Sequence, residues 1–262
     1  WNKVIAENEM LRTVFRWKKM DHPVQVILKQ HRLEPRFVDL TAYSPQEQDR
    51  RLDSIRQDDR ENGFDLEHVP FRVILCKMGA NRHEMIVSNH HILYDGWSTG
   101  IILEEFLAHF HTPEQDKTPA KKAKSRYKEF IKRVYAGDPD AQKTFWKSYL
   151  QNLGAPAILP VKKGSAGTGF TPGAFTVPVP QKIKEGLEQL AQSEKLTMAS
   201  LLYGVWGMLL RRYTGTGDVT LGATVSWRSG QIKGVENMVG LFINTLPLRI
   251  ETDSGAPVIE LL

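Results

Sequence analysis

The stretch His90-His91-Ile92-Leu93-Tyr94-Asp95-Gly96-Trp97-Ser98 lies where one hydrophobic period gives way to another. Before it, Phe71, Val73 and Leu75 alternate and residues 83–89 hold the apolar Met85, Ile86 and Val87, the pattern of two adjacent strands. After it, Ile101, Ile102, Phe106, Leu107 and Phe110 recur at helical spacing with Glu104 and Glu105 facing outward. The unit reads as strand, short loop, helix, with two imidazoles, a carboxylate and a glycine gathered in the loop. On an extended backbone neighbouring side chains point to opposite faces, so at most one of His90 and His91 addresses a reacting atom. A carboxylate at Asp95 either orients that histidine or turns away to anchor the loop, and Gly96 lets the backbone turn tightly where a ligand comes close. Two histidines and an aspartate also occur in metal sites, but histidines that face apart, with no Cys or Glu clustered beside them, argue against one here.

Working outward, Val4, Ile5, Met10, Leu11 and Val14 suit one helix face, and Val24, Val26 and Leu28 alternate as a strand. Residues 44–61 read as a surface helix led in by Pro45. Residues 112–124 hold Pro, Lys, Ala and Asp with little to bury, a connector. A helical pattern covers 126–153, and a Gly- and Pro-rich break at 154–172 marks the expected boundary between a lobe at 1–154 and a linker with a further lobe at 155–262. A strand is expected at 175–179, helices at 181–193 and 198–213, and strands at 219–225 and 241–249.

The chain has 262 residues, 41% hydrophobic and 25% charged, which suits one large domain or two modest lobes and excludes a core-poor disordered segment. Thirty-five Lys and Arg stand against thirty Asp and Glu, a net +5, with the signs interleaved rather than drawn into the basic stripe of a nucleic-acid binder. The apolar run 201–210 is interrupted by Gly204 and Gly207 and falls short of the roughly 18–20 residues of a membrane span. One cysteine, Cys76, forms no intrachain disulfide, and the start carries no signal segment, so a cytoplasmic setting is expected. Trp1 opens the chain inside a helical pattern and Val258, Ile259, Leu261 and Leu262 close it, so the chain is read as a fragment of something longer.

Four ordered motifs resemble the condensation domains of nonribosomal peptide synthetases. The HHxxxDG element at 90–96, with Trp97 and Ser98 trailing, is one. Glu9, Met10, Leu11, Arg12, Thr13, Val14 and Phe15 are similar to the family's HExLRTxF element, with Glu7 and Asn8 in place of the Arg and His that usually precede it. Residues 239–245 followed by Arg249 are similar to VGxFxNTxxxR. Ser226, Trp227, Arg228 and Ser229 take the place of SGRP, with Trp for Gly and Ser for Pro, and Tyr127 and Phe130 sit where a further Tyr-containing element is expected.

The resemblance implies an α/β fold of two chloramphenicol-acetyltransferase-like lobes meeting in a V, the second incomplete in this chain. It implies attack of an acceptor aminoacyl amine on a donor acyl or peptidyl thioester. Both substrates would ride on 4′-phosphopantetheine arms of upstream donor and downstream acceptor carrier domains, with no directly bound cofactor or metal and a neighbouring adenylation domain. No nucleic-acid or membrane partner is expected. Histidine is the side chain whose ordinary pKa, about 6.5, suits proton transfer from such an amine. His91 is therefore expected as base or substrate positioner, Gly96 as a backbone donor near the reacting groups, and His90 as structural. Asp95 is expected to be an anchor, and the resemblance suggests Arg12 as its partner. Arg228 and Asn244 either line the substrate tunnel or cap strand ends. Met198, Leu202, Val205, Trp206 and Leu209 are read as helix core, and the basic stretch 117–132 as a solvated face or a dock for an acidic carrier surface. The rivals are an epimerisation domain, against which residues 241–245 speak, and a catalytically silent carrier- or partner-recruiting module, which usually loses the second histidine. A heterocyclising relative would carry aspartates in place of the histidines, and coenzyme-A acetyltransferases lack the Arg12 and Asn244 elements. With the remaining C-terminal motifs absent, the strand at 241–249 and the apolar 258–262 are expected to lack some of their normal partners, leaving an unpaired strand edge and an exposed apolar patch.

Overall fold

A computed structural model describes residues 1–112, 124–154, 159, 175–228 and 232–251. The chain divides into two units, Trp1–Gly137 with Ser226–Ile243, and Asp138–Val225 with Asn244–Leu262. This differs from the boundary expected at 154. The first unit ends at Gly137, and the segment 226–243 from far along the chain belongs to it, because Val235, Met238, Val239 and Phe242 are buried in its core beside Val4, Ile5, Leu93 and Ile102.

The first unit opens with helix α1 (Asn2–Glu7). The helix expected to run on to Val14 stops there, because Asn8 turns extended and its side-chain amide donates back to the Val4 carbonyl at 2.8 Å. A 3-10 turn (Glu9–Arg12) leads into β1 (Thr13–Arg16), where β-branched and aromatic residues favour a strand, and β1 pairs antiparallel with β2 (Val24–Ile27). A second sheet has the order β3 (Arg36–Asp39), β4 (Phe71–Lys77), β5 (His83–Asn89). β3 and β4 run parallel, which requires a crossover, and α2 (Pro45–Glu61) supplies it. Ser44 caps α2 by accepting from the Glu47 N–H, with Pro45 in the first turn. β4 and β5 are antiparallel, with Phe71 opposite Asn89. β4 is covered on both faces. Ile74 and Cys76 pack with Leu40, Leu52 and Met78, while Phe71 and Val73 join the larger core. Helix α3 (Gly96–His111) follows β5, and α4 (Tyr127–Tyr135) buries Tyr127 and Phe130.

In the second unit, α5 (Pro139–Tyr149) is separate from α4, so the helix expected over 126–153 is two. Asp138 starts the second by accepting from the N–H groups of Asp140 at 2.9 Å and Ala141 at 3.1 Å. Helices α6 (Gln181–Ser193) and α7 (Met198–Thr214) fall where the periodicity predicts them, and α7 ends on Gly215 at φ 73°. β6 (Asp218–Ser226) pairs with β7 (Ile243–Glu251). Residues 175–179 form no strand: Pro178 removes a ladder donor, and Phe175, Val177 and Val179 are exposed. Leu202, Val205, Trp206 and Leu209, read as core, are also exposed, and the buried face of α7 is Leu201, Gly204, Gly207 and Leu210. Residues 258–262, Ser229, most of the break at 154–172 and part of the basic stretch lie outside the described residues. Among the described residues no helix is long and apolar enough to cross a membrane, and no group of three or more His, Cys, Asp and Glu side chains is placed to hold a metal.

Candidate active site

The loop between β5 and α3 is built around Asp95. As the residue before the first turn of α3, it offers its carboxylate to an otherwise unpaired helix N–H, that of Ser98 at 3.0 Å, and places negative charge at the helix N-terminus. The same oxygen accepts from the Ser98 hydroxyl at 2.8 Å and from the Arg228 guanidinium at 3.2 Å, while its second oxygen accepts from the Phe242 N–H at 3.0 Å. Asp95 is 1% exposed. Burial pushes its carboxyl up, and the N–H of Phe242, the N–H and hydroxyl of Ser98 and the charge of Arg228 together outweigh that, holding it below the ordinary carboxylate value.

Ser98, fully buried, ties the loop to the segment at 240. Its hydroxyl accepts from the Gly240 N–H at 3.1 Å and from Arg228 at 2.8 Å, and lies 3.0 Å from the Gly240 carbonyl. That carbonyl also takes the Asp95 N–H at 3.1 Å. The Arg228 guanidinium donates its other terminal nitrogen to the carbonyls of Val235 and Met238, each at 2.8 Å, and lies over the Phe242 ring. Burial lowers its pKa while Asp95 raises it, the first effect being the larger. Arg228 thus caps carbonyls and neutralises Asp95 from within the core. These carbonyls belong to a 3-10 turn (Val235–Asn237) and the residue that follows it, not to a strand end.

The expected partnership of Asp95 with Arg12 is corrected by this arrangement. Arg12 ends the 3-10 turn that feeds β1, and its guanidinium donates to the Leu28 carbonyl across the β1–β2 hairpin, where the Leu28 N–H also reaches the Arg12 carbonyl at 2.9 Å. Glu9, from the same motif, accepts from the Tyr127 N–H at 3.2 Å and from Arg126 at 3.0 Å, so it caps the start of α4. Asn244 belongs to the second unit, where it is exposed and its side-chain oxygen accepts from the Thr245 N–H at 2.8 Å.

The strand alternation expected for His90 and His91 does not apply, because β5 ends at Asn89 and both histidines enter a turn closed by the Leu93 N–H to the His90 carbonyl at 3.1 Å. Their difference arises from hydrogen bonding. The Nδ1 of His90 accepts from the Ile92 N–H at 3.1 Å, which ties this ring to the loop. His91 is exposed and has no hydrogen-bond partner among the described residues. Across the same turn the Tyr94 hydroxyl donates to the Asn89 side chain at 2.8 Å. Gly96 opens α3 with clear space beside it: a Cβ there would meet nothing within 4 Å. Trp97 is exposed and its indole N–H donates to the Glu236 carbonyl at 3.3 Å.

Two motif elements far apart in sequence therefore close on one carboxylate, and a family model of the condensation domain matches residues 1–262. The chain belongs to the condensation-domain family. This condensation domain is 33% identical over 263 residues to gramicidin S synthase 2 of Brevibacillus brevis, matching 100% of this chain and 6% of that protein. It is 33% identical over 264 residues to bacitracin synthase 3 of Bacillus licheniformis, matching 100% of this chain and 4% of that one. The chain thus spans a small part of the length of these relatives. The first condensation domain of the calcium-dependent antibiotic synthetase, solved in complex with a substrate analogue, superposes with a TM-score of 0.73 at 20% identity, covering 99% of this chain and 62% of that one. The EpoB NRPS cyclization-docking bidomain from Sorangium cellulosum gives 0.79 at 21% identity, covering 99% and 52%. These likenesses carry the fold, and the mixed helix and sheet architecture is that of condensation domains.

The role of Arg228 is the reading that sequence reasoning missed. The signal was present, since a buried aspartate requires a cation and the Ser226-Trp227-Arg228 element supplied one besides Arg12.

Proposed function

We propose that this domain forms an amide bond between a donor acyl or peptidyl thioester and an acceptor aminoacyl amine, both carried on phosphopantetheine arms of carrier domains. The observation that carries the reading is the contrast within one loop: Asp95 is turned inward and held by Ser98, Phe242 and Arg228, while His91 is exposed with its imidazole uncommitted. A loop anchored from below fixes the backbone from which that imidazole projects and leaves the ring free for substrate, which suits general-base catalysis, worth about 10²–10⁴ in rate once the group is positioned. In the reaction the amine nitrogen bonds to the thioester carbonyl carbon, His91 takes the proton the nitrogen sheds, the C–S bond breaks, and the proton passes to the departing thiolate. Gly96, at the positive end of α3, has clear space about its Cβ position, and its N–H is the donor assigned to the oxygen that gains negative charge. The direct partners are then an upstream and a downstream carrier, with an adenylation domain as neighbour in a cytoplasmic synthetase.

The test is product formation by the full-length protein with both carriers loaded, followed by mass spectrometry of the acceptor-bound product. His91→Ala should lower amide formation by about 10²-fold or more with carrier loading intact, and His90→Ala should act chiefly on stability. Near-normal product from both variants refutes the role of His91. An acceptor inverted at its α-carbon with no new amide, or carrier binding with neither product, refutes the reaction.

A further inference from the structure

Most of the cations held in the body of this protein have a carboxylate to answer them: Arg72 meets Asp59, Lys124 meets Glu105, Arg228 meets Asp95 and Arg249 meets Asp218. The loop that leaves β2 breaks that habit. A cleft of about 550 Å³ is lined by Ala6, Arg12, Lys29, Gln30, His31 and Arg32, three formal positive charges, an imidazole and an amide with no carboxylate on its walls. Among the described residues neither Lys29 nor Arg32 has an ion-pair partner.

The cleft is also fixed in shape. At one end Leu28 is bonded through its N–H and its carbonyl to Arg12. At the other end Leu33 is buried and its N–H donates to the Asn2 side chain of α1 at 2.8 Å. The residues between the two anchors line the same cleft, and among the described residues their side chains make no hydrogen bond or ion pair within the fold. Burial keeps the His31 imidazole below its ordinary value, so near neutral pH it offers one ring N–H and no charge.

We propose that this cleft binds a phosphate group. Lys29 and Arg32 supply its charge complement, and Gln30, His31 and the unused donors of Arg12 supply directed hydrogen bonds to its oxygens. A tetrahedral oxyanion suits this set better than a carboxylate does, because guanidinium and ammonium donors approaching from several sides can each reach a separate oxygen. Two sources present that chemistry: the phosphodiester at the root of a carrier-borne arm, and a free phosphorylated small molecule. The carrier-borne source rests on the condensation reading, whereas phosphate binding by the cleft needs no turnover and is tested separately from it.

The experiment follows backbone and arginine side-chain resonances of the labelled 262-residue chain during titration with inorganic phosphate, against sodium chloride at matched ionic strength. Resonances of residues 29–32 and the Arg12 side chain should shift saturably with phosphate and not with chloride. The double substitution Lys29→Ala and Arg32→Ala should weaken the apparent affinity at least tenfold, and the charge-conserving Lys29→Arg and Arg32→Lys should restore most of it. Both substituted positions are exposed, so the amide spectrum of the double variant should otherwise be unchanged. Titration with a carrier bearing the phosphopantetheine arm, and with the same carrier lacking it, distinguishes the sources. Shifts at 29–32 that need the arm and are competed by phosphate assign the cleft to the arm, and phosphate binding without such competition assigns it to a free ligand. Chloride and phosphate acting alike, or equal phosphate binding by the double-alanine variant, overturns the proposal.

Discussion

The Arg228 guanidinium and the Asp95 carboxylate, 133 residues apart in sequence, meet at 3.2 Å with the side chains 6% and 0% exposed. Through this contact the loop carrying His91 is fastened to a segment that arrives from the far half of the chain. A charge left alone in that position has neither water nor a counter-ion, and removing one partner of a buried pair typically costs about 3–5 kcal/mol. Asp95→Ala and Arg228→Ala should each lower the urea midpoint by an amount in that range, and the double variant should cost clearly less than the sum of the two. Arg12→Ala, which loses a hairpin contact, should cost far less. Additive single effects, or an Arg12 variant as damaging as the Arg228 variant, would contradict the pairing.

The same carboxylate sets how the domain responds to acid. Asp95 is held below its ordinary value in the folded state, so its contribution is fully present above the unfolded value of about 3.9 and is lost as the pH falls through the folded value. Asp218 behaves likewise in the second unit, its carboxyl lowered by the hydrogen bonds and charge of Arg249. Stability measured by urea unfolding should therefore fall below about pH 4. Asp95→Asn should be less stable at pH 7 and show a shallower decline on acidification. An acid limb as steep in the variant as in the parent would rule Asp95 out as a contributor.

What the sequence made legible was local. The strand, loop and helix order around the HHxxxDG element follows from the hydrophobic period alone, and α6 matches its expected span residue for residue. What it hid was the choice between equivalent partners. Three arginines lie within the recognised motifs, and nothing in spacing or periodicity says that Arg12 is consumed by the Leu28 carbonyl and Arg249 by Asp218 whereas Arg228 returns through the core. The unit boundary was hidden for the same reason, because the break in composition marks where the chain has little to bury and not where the segment 226–243 comes back to pack. The alternation argument for the two histidines failed because it extended a strand past Asn89, where the backbone already turns.

At high pH the phenols of Tyr94 and Tyr127 take over. Burial pushes both up to about 12, and the Tyr127 hydroxyl also donates to the Leu241 carbonyl at 2.9 Å. The unfolded chain releases these protons near pH 10 and the folded one later, so above that pH the unfolded state binds fewer protons and stability falls as pH rises toward 12. Tyrosinate absorbance should show a late-titrating fraction in the folded protein that is reduced in Tyr127→Phe, and that variant's alkaline decline should be shallower. A titration at ordinary pH for every tyrosine would refute the burial argument.

Two glycines of the site region separate what the fold needs from what a substrate needs. A Cβ at Gly240 would stand 2.5 Å and 2.6 Å from carbons of the Tyr127 ring and 3.0 Å from Phe242, and the ring is held by its hydroxyl bond to Leu241 and by Phe130 and Phe242 at its sides. It has little room to give, so Gly240→Ala should cost about 1–3 kcal/mol, the usual range for overpacking a core. Combining it with Tyr127→Ala should cost less than the two separately, since the truncated residue vacates the space. Gly96 is the opposite case. It carries no positive φ, its Cβ would touch nothing, and at the first position of α3 alanine is the better helix former, so Gly96→Ala should leave stability unchanged or slightly raised. If the open space beside Gly96 is where the reacting carbonyl sits, the added methyl should still depress amide formation while urea unfolding shows an intact protein. Loss of stability without a further loss of rate would reduce Gly96 to a helix-start residue, and unchanged rate with unchanged stability would remove it from the site.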